Sequence, residues 1–181
     1  KIDFQVLIKY LPLSLVCLIY LTPFSLRLIS PPFKGDVLTY HLPTSNMISN
    51  GELFSITENY IYALRSLFPE LIFSAGISLS NDNVVIMISF IFLILFLTSI
   101  YELSRSISNK TSSIFAILVF LSNTDILREL SFNGKPDFLA HFYSIIGIHT
   151  FFLFIVNKSS DKKLFLFLSG FFIGAAYLNK I

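Results

Sequence analysis

The sequence predicts an all-α, polytopic transmembrane helix bundle of about five spans, with a long outer loop containing interfacial helices. Three observations carry this. Hydrophobic residues make up 54% of the 181 residues and charged ones 13%, with a mean hydropathy of +0.75, well above what a soluble core requires. Apolar stretches near the roughly 20 residues that a hydrocarbon core demands recur along the chain. Lys and Arg gather in the short segments joining alternate pairs of these stretches, as expected of cytoplasmic loops.

The first span is predicted from Tyr10 to Ile29 and contains Pro12 and Pro23, which a spanning helix tolerates when neighbours satisfy the freed carbonyls. It lacks a small-residue cleavage site and runs on into Pro31 and Pro32, so it reads as a span and not a signal peptide. The second, Val84 to Tyr101, contains no charge. The third, Ser112 to about Leu130, is apolar as far as Leu121 and then meets Asn123, Asp125 and Arg128, placing its outer end in water or against protein. Phe138 to Val156 and Leu164 to Leu178 supply the fourth and fifth.

Orientation follows from the basic loops. Lys1 and Lys9, Glu102 to Thr111 with Arg105 and Lys110, and Asn157 to Lys163 with Lys158, Lys162 and Lys163 fall on one side, which puts the N-terminus in the cytoplasm. The outer side receives a long loop, residues 30–83, carrying five acids against Lys34 and Arg65, and a shorter one, residues 123–137. Within the long loop, Gly51 to Leu79 mixes aromatic and aliphatic residues with Glu52, Glu58, Arg65 and Glu70, the pattern of helices lying at a membrane surface or capping the bundle. Residues 1–181 read as a single transmembrane domain. Lys1 at the start, and an end straight off an apolar run, give the expectation that it is the N-terminal part of a longer chain.

Composition excludes several functions. A net charge of +2, with 13 Lys and Arg spread over several segments and forming no single cluster, offers no footprint for nucleic acid. The single cysteine, Cys17, can form neither an intrachain disulfide nor a cysteine-rich metal site. No phosphate-binding glycine loop, nucleophile elbow, zinc-protease motif or dinucleotide fingerprint occurs.

The polar residues that remain cluster at the predicted outer ends of spans. Asp36, in KGDVLTYHLP just past Pro31 and Pro32, is placed to act as a general base or to hold a divalent cation, though a surface Asp also serves as a helix cap. If the segment is helical, Tyr40 shares a face with Asp36, and His41 lies beside them; both are also residue types that anchor at a headgroup layer. Asp137 follows Pro136 at the start of the fourth span, where a first-turn acid also suits the helix dipole. His141 and His149 lie within that span and read as packing residues. Lys180 ends GFFIGAAYLNK and could meet a lipid phosphate or reach the headgroups. In the same segment Gly170 and Gly174 form the small-xxx-small spacing that lets helices approach closely.

The order of these features resembles the N-terminal region of GT-C membrane glycosyltransferases, in particular the protein-mannosyltransferase and aminoarabinose-transferase-like group of bacteria and archaea. It rests on GDVLTYHLP after the first span, FPEL before the second, the basic turn after IYELSRS, PDFLAHFY opening the fourth span, and the ending GFFIGAAYLNK. The resemblance implies a polyprenyl-phosphate-linked sugar as donor and a glycan, lipid or protein as acceptor at the outer face of a prokaryotic cytoplasmic membrane. It implies Asp36 as catalytic base, Asp137 as the second outer-loop acid and Lys180 near the lipid phosphate, with Tyr40 and His41 completing a substrate site. A divalent metal on Asp36 and Asp137 stays open, since family members often carry a second acid directly after the first and this chain has Val37 there. The competing reading is a transporter, flippase or lipid-polysaccharide polymerase, which calls for a polar site midway along broken helices; here the charges sit at span ends.

Overall fold

The computed structural model describes residues 22, 35–52, 67–123, 136–156 and 161–179. Among them the chain is all-helical and contains no strand. A π-helical turn, Val37–His41, runs directly into α1, Leu42–Ser49; then follow α2, Phe68–Leu79, α3, Val84–Ile107, α4, Lys110–Ser122, α5, Asp137–Val156, and α6, Lys162–Leu178. All of the first predicted span but Thr22, including Cys17, and also Lys180 lie outside the described residues, as does most of the shorter outer loop.

Among the described residues two helices are long and apolar enough to cross a membrane: α3 with 24 residues and α5 with 20. The fourth predicted span coincides with α5, and the fifth with α6, which at 17 residues is about 25 Å long. Of the third, the 13-residue α4 covers Ser112 to Ser122, where it ends. The second differs most from expectation. Helix α3 continues past Tyr101 through Ile107, so most of the predicted cytoplasmic loop is helical, and only Ser108 and Asn109 separate α3 from α4. Glu102 and Arg105, which read as loop residues, form an exposed pair one turn apart at 4.0 Å and are compatible with a helix leaving the apolar layer. Asn109 then starts α4, its side chain accepting from the Ser112 backbone N–H at 3.0 Å, a normal N-cap.

Many of the helices' large apolar side chains point outward. Phe115, Phe167 and Phe171 are more than half exposed, as are Ile155 and Leu164. Such faces are a liability in water and match a lipid surround. Inside, Phe138 and Leu93 are buried with Phe96, which meets Phe120 edge-on at 5.0 Å and thereby ties α4 to α3 and α5. Phe138 packs on Phe96, which lies three turns into α3. The start of α5 thus reaches the middle of α3 through Phe138, while the next residue, Leu139, joins Val85 at the start of α3 and Phe73 of α2 in a second buried cluster. There the Cδ1 of Ile88 approaches Gly76 closely.

Helices α5 and α6 pair most extensively. At Gly147 a Cβ would lie 2.6 Å from Ile173 Cγ1 and 3.2 Å from the Ile173 backbone nitrogen, so the missing side chain is what allows the approach. Ser169 Oγ donates to the Gly147 carbonyl at 2.9 Å across the interface. The predicted close-approach residues, Gly170 and Gly174, have nothing within 4 Å. They lie on the exposed face of α6, and the small residues buried against α5 are instead Ser169, Ala175 and Ala176.

Candidate functional site

The local structure around Asp36 follows from Pro43. Proline lacks the N–H a helix would use and its ring collides with the carbonyl one turn back. The chain widens just before it into a π-turn, with the Leu42 N–H bonded to the Val37 carbonyl. Single π-turns within helices concentrate at functional sites. Asp36 stands at the N-terminal end of this turn and is exposed, Tyr40 is half-buried and His41 is buried. The tyrosine and histidine rings are in contact, 4.0 Å apart between centroids, with His41 turned inward.

His41 meets Glu70. Its Nδ1 lies 2.5 Å from Glu70 Oε1, and both side chains are buried. The backbone of His41 is held too, its carbonyl accepting from Ser45 Oγ at 2.7 Å. Glu70 enters from the first turn of α2, where Pro69 suits a helix start and an acid is favoured by the dipole. Its second oxygen, Oε2, is buried and has no hydrogen-bond partner among the described residues. An unsatisfied buried acceptor costs ~1–3 kcal/mol, more when charged. Glu70 received no role from sequence, although an acid between Pro69 and the apolar run LIF was a usable signal.

Asp137 opens α5 and is half-buried, following the buried Pro136. Val37, the residue after Asp36, and Leu139, two after Asp137, belong to one buried cluster with Leu42, Phe73 and Val85. The π-turn, α2 and the beginnings of α3 and α5 therefore converge at one end of the described bundle, with Tyr143 beside them, its ring facing Phe68, Phe92 and Phe172. His141 lies apart from the His41 pair, its ring against Phe96. Among the described residues no three His, Cys, Asp or Glu side chains are grouped as a metal site needs.

The long apolar helices and their outward apolar faces fit the class of helical membrane proteins. Residues 65–181 match the family model described as dolichyl-phosphate-mannose-protein mannosyltransferase, and the chain belongs to that family, which is one of membrane glycosyltransferases using a lipid-linked sugar. Glu70, Asp137 and Lys180 fall inside the matched region; Asp36, Tyr40 and His41 precede it. No curated protein and no solved structure matches the chain.

Proposed function

We propose that the protein transfers a sugar from a polyprenyl-phosphate-linked donor to an acceptor hydroxyl at the outer face of a prokaryotic cytoplasmic membrane, with its N-terminus in the cytoplasm. The observation that carries this reading is the family match over residues 65–181. The convergence of the π-turn with the start of α5 supports it, because it puts the segments bearing Asp36 and Asp137 at one end.

In this reading Asp36, exposed and able to meet an incoming hydroxyl, takes its proton. The hydroxyl oxygen attacks the anomeric carbon, the bond from that carbon to the phosphate oxygen breaks, and polyprenyl phosphate leaves with the electron pair. The charge developing on the leaving phosphate needs fixed donors or cations; Lys180 is assigned to it, with Tyr40 and His41 as hydrogen-bonding groups. Asp137 binds substrate hydroxyls. The acceptor is a glycan, a lipid or a protein.

The test is transfer from a radiolabelled polyprenyl-phosphate sugar in membranes containing the full-length protein, wild type against Asp36→Asn. Loss of transfer at equal expression is the expected result. No transfer by the wild type from any of several donors would remove this reading in favour of a transporter or polymerase.

A further inference from the structure

We propose that Glu70 is a positioning residue of this site: its buried carboxylate receives the Nδ1–H of His41 and thereby makes Nε2 the ring nitrogen offered to the lipid-linked donor. The proposal rests on the functional reading above for the identity of the ligand, and on geometry for the rest.

Three observations point the same way. Glu70 Oε1 is the sole hydrogen-bond partner of the His41 ring among the described residues, which leaves Nε2 uncommitted. An imidazole whose Nδ1–H is held by a carboxylate has its tautomer and its plane set, and the role of the other nitrogen follows. The Tyr40 ring packs against the imidazole at 4.0 Å, and the Ser45 bond to the His41 carbonyl holds the backbone that carries it. Finally, a pair retained only to join α2 to the π-turn would be better served by apolar side chains, since a buried ionic or polar pair contributes little net stability. This one also leaves Oε2 without a donor among the described residues.

A merely structural Glu70 and a positioning Glu70 differ in what they do to the ring nitrogens. The full-length protein, labelled with ¹⁵N-histidine and reconstituted in lipid nanodiscs, contains His41, His141 and His149 in this region; comparison with His141→Gln and His149→Gln variants assigns the His41 signals. The wild type should show a protonated Nδ1 on His41, and Glu70→Gln should shift that signal or release the ring into a mixture of tautomers. A bare Nδ1 in the wild type, or a spectrum unchanged in Glu70→Gln, overturns the proposal. In the transfer assay Glu70→Gln should lower the rate by about 10- to 100-fold and have no further effect in a His41→Ala background; losses that multiply in the double variant overturn it too. The wild-type spectrum needs no altered protein, so a variant that fails to fold leaves the proposal exposed. A wild type that shows the expected nitrogen signature but transfers no sugar would remove the functional reading and keep the Glu70–His41 arrangement.

Discussion

The two ends of the described chain hold themselves together by opposite means. Between α5 and α6 the contact is close, small-sided and satisfied: Gly147 admits Ile173, and the Ser169 hydroxyl donates to a backbone carbonyl. Between the π-turn and α2 the contact is polar and incompletely satisfied, a buried His41–Glu70 pair with one carboxylate oxygen left over. Helices in lipid associate through close packing and modest hydrogen bonds, and the first region obeys that rule. The second spends stability on placed polar groups, which is what a binding or catalytic site requires and a scaffold does not.

The sharpest way to separate the two is to remove groups that one region uses and the other lacks. Asp36→Asn should leave folding untouched, the side chain being exposed, and lower sugar transfer by about 10²- to 10⁴-fold, the usual worth of a general base; initial rates in membranes measure it. His41→Leu alone strands a buried carboxylate and should cost about 3–5 kcal/mol. His41→Leu with Glu70→Leu should recover most of that loss while remaining inactive, a result read from unfolding in detergent alongside transfer. If the double variant were no more stable than the single one, the pair would be structural and the comparison would collapse.

On the other side, Gly147→Ala should destabilise by about 1–3 kcal/mol through forced separation of α5 and α6. Ser169→Ala should cost about 0.6 kcal/mol, the average for a hydrogen bond between membrane helices. Gly170→Ala and Gly174→Ala should be neutral or stabilise by no more than ~1 kcal/mol, because a methyl group there meets nothing. Thermal unfolding of the four variants in one detergent checks all of these. A loss at Gly170 equal to that at Gly147 would show that α6 presents a different face to its neighbour.

What could be read from residues alone was whatever depends on runs along the chain. Helices α5 and α6 begin and end within two residues of the expected spans, because apolar length and flanking charge decide them. The end of α3 was misjudged: charges at Glu102 and Arg105 look like a loop, yet a helix emerging from the apolar layer carries them without penalty. The choice of small-residue face failed for a related reason. Ser169, Gly170, Gly174, Ala175 and Ala176 surround α6 with small side chains on more than one side, and only the partner decides which side is used. The His41–Glu70 pair joins positions 29 residues apart, and no local period announces a contact between two elements. Of the candidate site, sequence nominated His41 and Asp36 but could not say that one faces inward and the other outward.

A π-turn is an α-helix with one residue too many. Deleting a single residue between Val37 and Tyr40 should therefore give a regular, shorter helix and not a broken one, because the wider turn absorbs the extra residue and its loss restores α-helical spacing with the flanks nearly in register. Val37 would then keep its side of the helix and its place in the core, His41 would stay seated on Glu70, and Asp36 would move about one residue's rise, ~1.5 Å, along the axis toward them. Gaining or losing that one residue is thus a way to adjust the height of a carboxylate above the core that carries it.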